Sequence, residues 1–143
     1  MLIAYPLPIA ANDLGGLIGQ FPDGPEAVTE ADSLPELLPW ARDALIVALT
    51  GYLDHRHDIP RPSKPKRGQH MVPLPALVAL KLAIYQAMRD QGLTRSDLAK
   101  RLGKDARQIR RLLDLDHHSR LDQLSDALKA PGKRLVIDVA DAA

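Results

Sequence analysis

The 143-residue chain contains no cysteine, which excludes disulfides, thiolate metal sites and a cysteine nucleophile. Aromatic residues make up only 3% of it, so a core has to be packed from Leu, Ile, Val and Ala. The longest apolar stretches are broken by Pro, Lys or Asp, and no basic segment precedes an apolar run near Met1. Neither a membrane span nor a signal peptide is expected, and the cytoplasm is the expected compartment. What is present is ordinary for a globular protein: 45% hydrophobic and 26% charged residues. The length suits one domain or two small ones.

The formal net charge of +1 hides a segregation. Residues 1–60 carry two basic residues, Arg42 and Arg56, against nine acidic ones, while residues 61–143 carry 17 basic against nine acidic. Halves of net −7 and +8 suggest two modules with different partners, the acidic one suited to a basic protein and the basic one to a polyanion. Between them, Pro60-Arg-Pro-Ser-Lys-Pro-Lys-Arg-Gly68 reads as an extended connector, because its prolines disfavour helix and remove backbone donors.

The first module, residues 1–74 with the linker 60–68, reads as α+β. Leu2 to Ile9 is an expected strand confined by Pro6 and Pro8 to an edge. Asn12-Asp-Leu-Gly-Gly16 is a turn, Leu17 to Phe21 a second strand, and Ala27 to Thr29 a short third. Ser33 and Glu36 have capping-box spacing ahead of a helix in which Leu37, Leu38, Ala41, Ala44, Leu45, Ala48, Leu49 and Tyr52 recur at helical intervals. Pro39 in its second turn is expected to kink that helix or delay its start. Met71-Val-Pro73 can return as a further strand, giving a sheet of three or four strands under one helix.

The second module, residues 75–143, reads as helical. Pro75 suits a first turn, and Leu77, Val78, Leu80, Ile84 and Met88 form an apolar face up to Gln91-Gly92. Thr94 can cap a second helix with Leu98, Ala99 and Leu102 inward. Gly103 stops it. Ala106 to Asp114 makes a third, and Leu121, Leu124 and Leu128 line a fourth before Pro131-Gly132. Leu135 to Val139 is β-rich, an expected terminal strand whose Leu135, Ile137 and Val139 can pair across a dimer twofold.

The run from Leu93 to about Ala130 has the parts of a helix-turn-helix. Small Ala99 permits close helix approach, and Gly103 supplies the left-handed residue that redirects the chain. At 100° per residue, Ala106, Ile109, Leu112 and Leu113 share one side of the third helix. Lys104, Arg107, Gln108 and Arg111 share the other, with Arg110 on the flank. Arg reads guanine O6 and N7 and Gln reads adenine N6 and N7 in the major groove. Between Thr94 and Arg111 there are seven basic residues and two acidic ones. Lys100, Arg101 and Arg120 suit phosphates, as do Thr94, Arg95 and Ser96 at a helix start and Ser119 as a cap of the fourth helix. A solvated basic face is the bland alternative.

The segment Leu93–Leu128 resembles the Cro/repressor, or XRE-like, helix-turn-helix class. The whole chain resembles the HicB antitoxin family in the order of its motifs: the hairpin, the Ser33–Leu53 helix, Asp58-Ile-Pro-Arg-Pro-Ser63, Met71-Val-Pro-Leu-Pro75 and Leu113-Asp-Leu-Asp-His-His-Ser-Arg-Leu-Asp122. That resemblance implies a partial RNase H-like module that neutralises a HicA-type, mRNA-cleaving toxin. It further implies a helix-turn-helix domain that represses the operon by binding double-stranded operator DNA as a homodimer or higher homo-oligomer. Pro39 and the proline-rich first strand depart from the family pattern.

Catalysis is not expected: Asp13, Asp23 and Asp32 fall at turns and Glu36 at a cap, so no carboxylates converge on a metal. His55/His57 and His117/His118 lack a third ligand at a recognisable spacing, so neither a metal nor a cofactor is expected. Trp40 is expected in the core, with an exposed partner-binding anchor as the other reading. A stand-alone repressor responding to a small ligand is the main alternative function. An RNase H-like nuclease and a protein scaffold rank below it.

Overall fold

Pro8 divides the first extended run in two, since it offers no N–H to a ladder. In the computed structural model, which describes residues 3–142 and so leaves Leu2 outside, β1 (Ala4–Leu7) turns away to pair antiparallel with β5 (His70–Pro73), Tyr5 facing Val72. After Pro8 the chain pairs in the other direction. There β2 (Ile9–Ala11) forms a hairpin with β3 (Leu17–Phe21), and β3 pairs with β4 (Gly24–Ala31). The expected single sheet is therefore two sheets, β1-β5 and β2-β3-β4, and the third strand is eight residues long rather than three. Where β1 packs on β3, a Cβ at Gly19 would come within 3.1 Å of Leu7, so the leucine side chain would have to give way.

Helix α1 (Leu34–Asp54) buries Leu37, Ala41, Leu45, Leu49 and Leu53, an unbroken i, i+4 stripe, against β3 and β4. The expected Ser33 cap does not form: Ser33 makes no side-chain cap bond. Pro35 at the second helical position leaves the Glu36 N–H available, so nothing in the structure explains the missing bond. The helix begins at Leu34 regardless and runs through Pro39, whose forfeited bond lies on the exposed side. Trp40 is one position off the buried stripe and is 52% exposed, so it is not a core residue.

Helix α2 (Ala76–Asp90) enters after Pro75 and buries Val78, Leu82, Ile84, Tyr85 and Met88. It packs on α4 (Ala106–Leu113) and α5 (Leu121–Lys129), with α3 (Arg95–Leu102) against both. Buried residues from Tyr5 to Leu128 make one apolar cluster. The stretch from His57 to Ser63 is irregular but bonded on both sides. Tyr5 Oη donates to the Pro60 carbonyl (2.6 Å) and the Ser63 N–H to Asp23 (2.8 Å). On the α2 side, Tyr85 Oη donates to the His57 carbonyl (2.8 Å), the Ile59 N–H to Gln86 Oε1 (2.8 Å), and Arg89 pairs with Asp58 (2.7 Å).

The expected terminal strand is absent. Residues 133–140 adopt no regular structure; Leu135 is half-buried, and Val136, Ile137 and Val139 are exposed. Among the described residues no strand lies beside them to supply a ladder. Among the described residues the fold is mixed α/β, with short sheets and one long helix first and four further helices after β5.

Candidate nucleic-acid interface

Two reciprocal caps start the short helices. Thr94 Oγ1 accepts from the Asp97 N–H (3.0 Å) while Asp97 accepts from the Thr94 N–H (2.9 Å). Those bonds to Thr94 hold the Asp97 carboxyl below the usual carboxylate range. Leu98 is fully buried beneath α3, and Gly103 ends the helix at φ +64°. Nothing lies within 4 Å of a Cβ built at Gly103, so it is the left-handed backbone, not space, that favours glycine. Asp105 then caps α4: its carboxylate accepts from the Gln108 N–H (2.8 Å) and Gln108 Oε1 accepts from the Asp105 N–H (3.0 Å).

Ile109, Leu112 and Leu113 are buried, while Arg107, Gln108, Arg110 and Arg111 are exposed and Lys104 is half-buried. Ala106, expected inward, is exposed, because burial of this eight-residue helix starts a turn later at Ile109. Among the described residues no carboxylate forms an ion pair with Arg95, Lys104, Arg107, Arg110 or Arg111. Arg120 differs, lying 3.0 Å from Asp122. Arg101 is also engaged, donating to the Ala130 carbonyl (2.7 Å).

Ser119 is 4% exposed and donates its hydroxyl to the Arg111 carbonyl at 3.3 Å; it does not cap α5, whose N-cap is Arg120. Lys104, Gln108 and Arg111 share a hollow of about 130 Å³ with Ser119 and Gln123. Thr94, Arg95 and Ser96 face a separate hollow of about 300 Å³, together with Arg56 and Arg89.

One residue that sequence reasoning missed organises this surface. Lys81 is 1% exposed on α2, and its ammonium donates to three carbonyls: Arg111 (2.9 Å), Asp114 (2.5 Å) and His117 (2.6 Å). These are acceptors at the end of α4 and in the turn after it, where helix carbonyls lose their own partners and a cation is favoured. Burial lowers the Lys81 pKa, and the charge of Asp114 opposes that. The available signal was a lysine between Leu80 and Leu82 on an otherwise apolar face. Lys81 and Ser119 together fix the C-terminal end of α4, and hence the direction in which its arginines project.

Leu135, Ile137 and Val139 lie on the irregular stretch after α5, Leu135 packed against the core and the other two exposed. In the first half, Asp23 is bonded to Ser63, and His55 Nδ1 lies 2.8 Å from the Gly51 carbonyl at the end of α1.

The relatives define the class of protein. The family described as the HicB-like antitoxin of bacterial toxin-antitoxin systems matches residues 4–83, from β1 into α2. Similarity to individual proteins extends further. The chain is 35% identical over 131 residues to Antitoxin HicB 2 of Photorhabdus laumondii, covering 92% of each. It is 34% identical over 131 residues to Antitoxin HicB of Escherichia coli K12, covering 92% of this chain and 95% of that one. To Antitoxin HicB of Pseudomonas fluorescens Pf0-1 it is 34% identical over 116 residues, 80% of each. The chain belongs to the HicB-like antitoxin family, a family of regulatory proteins rather than enzymes. No helix among the described residues is long and apolar enough to cross a membrane.

Proposed function

We propose that this chain neutralises a HicA-type, mRNA-cleaving toxin with its N-terminal module, residues 1–74, and represses its own operon with residues 75–143. In this reading α3, the Gly103 turn and α4 are an XRE-like helix-turn-helix, and α4 enters the major groove of operator DNA. The observation that carries it is the division of α4. Ile109, Leu112 and Leu113 are pinned inward, and the three arginines on its outer side form no ion pair with any carboxylate among the described residues.

Arg107 and Arg111 are the base-reading pair. Gln108 holds the cap through Oε1, which leaves its amide nitrogen to donate to a base. Lys104, Arg110, Arg120 and the α3 start at Thr94, Arg95 and Ser96 sit against phosphates, while Ser119 supports α4 from within. One such unit makes few base contacts, so two copies on an inverted repeat give the needed affinity, with Leu135, Ile137 and Val139 pairing across the twofold. The acidic first half complements a basic, RNA-binding toxin.

Replacing Arg107 or Arg111 with Ala is expected to weaken binding to the DNA upstream of the operon by ~1–3 kcal/mol each in gel shifts. Unchanged shifts for both variants would remove α4 as the reading helix. Co-purification with the product of the adjacent gene, followed by an RNase-inhibition assay, tests the antitoxin half.

A further inference from the structure

The outer side of α1 is not uniformly polar. Trp40 (52% exposed) and Val47 (72% exposed) stand in line with the half-buried Ala44 and Gly51. At 100° per residue these four positions fall within an arc of about 60°. The exposed acids Glu36, Asp43 and Asp54 fall immediately beside them, roughly 40–60° from Trp40 on the same helix. Past Val47 the strip opens into a shallow hollow of about 360 Å³, where Tyr52 donates to the Glu26 carboxylate (3.0 Å). The one nearby base on α1, Arg42, lies 3.6 Å from Asp43. An exposed tryptophan on a helix whose buried stripe is already complete adds little to the core of its own chain, and an exposed aromatic with polar groups along one side is a common anchor of a protein interface.

We infer that this strip of α1, with Trp40 and Val47 at its centre and Glu36, Asp43 and Asp54 along its rim, is the surface that docks the basic toxin. The assignment rests on the antitoxin reading above and adds to it the place of contact. Charge selects the occupant. A second copy of the chain would bring another half of net −7 against this rim, whereas a protein that binds RNA presents cations to it.

The full-length chain and an inactive copy of the toxin encoded beside it provide the test, by titration calorimetry. Trp40→Ala and Val47→Asp are each expected to weaken the complex ~30-fold or more, the loss typical of a central anchor. Trp40→Phe should retain most of the affinity. Operator gel shifts serve as the control for folding and should not change. The triple variant Glu36→Gln, Asp43→Asn, Asp54→Asn should flatten the salt dependence of the affinity. If the parent chain binds the toxin and both single variants bind it equally well, this surface is wrong while the antitoxin reading stands. If the parent chain binds no toxin, both fall. If Val47→Asp instead abolishes self-association in sedimentation, the occupant is a second copy and the inference is overturned.

Discussion

The two halves of this antitoxin hold their backbones by different means. In the acidic half, strands pair across distance and one 21-residue helix lays a five-residue apolar stripe over them; its helix has no side-chain cap. In the basic half, α3, α4 and α5 have eight, eight and nine residues, too short to stand alone in water. They depend on two reciprocal caps and on Lys81. The lesson is where polar groups are free. In the first half Asp23, Glu26, Asp43 and Asp58 all have partners, and in the second half polar side chains likewise orient backbone, while the arginines of α4 are the conspicuous exception.

The largest effect that can break this contrast is a cavity under α1. Leu45→Ala should cost ~2–5 kcal/mol. Because the apolar cluster runs through both halves, Trp40 fluorescence and far-ultraviolet circular dichroism should fall in one urea transition; two separated transitions would make the halves independent units. A smaller effect sharpens the role of polar geometry in the basic half. Lys81→Met removes the donor from three carbonyls while keeping the volume. It should cost ~2–3 kcal/mol in urea unfolding and, on the operator-binding reading proposed above, should weaken operator binding without removing any charge from the outer side of α4. A variant as stable as the parent would show that those carbonyls find water.

The smallest effect is pH-dependent. The Asp97 carboxyl is held below its ordinary pKa by Thr94. The stabilisation it contributes is therefore complete above the ordinary carboxylate value and is lost as pH falls beneath it. The urea midpoint should drop between pH 7 and pH 3, and Asp97→Asn should flatten that decline. An equally steep decline in the variant would assign the acid sensitivity to other carboxylates.

Much of this was legible in the residues. The Asn12–Gly16 turn, the i, i+4 leucines of α1, the Thr94 cap, the left-handed Gly103 and the inward Ile109 and Leu112 all follow from local rules that need no distant partner. What escaped needed tertiary context. Pro8 redirects a strand toward β5, some sixty residues away, and the Ser33 hydroxyl makes no cap bond despite its capping-box spacing. Trp40 is displaced by one position from a stripe already filled by Leu37 and Ala41. Asp105 and Gln108 have capping spacing, but Gln108 was read only as a base contact. Leu135 to Val139 has the composition of a strand, yet composition supplies no neighbour. Lys81 is the sharpest case, since periodicity places it inward and only the fold brings three carbonyls to meet it.

The segment from His57 to Ser63 is bonded to Tyr5 and Asp23 at one side and to Tyr85, Gln86 and Arg89 at the other, so it behaves as a bracket rather than a leash. A cargo carried on α1 would ride at one set offset from α4. On the operator-binding reading proposed above, two such brackets on neighbouring turns of a duplex would be spaced by the pitch of the DNA itself, and lengthening the operator by a half-turn would swing their cargoes to opposite sides of the double helix.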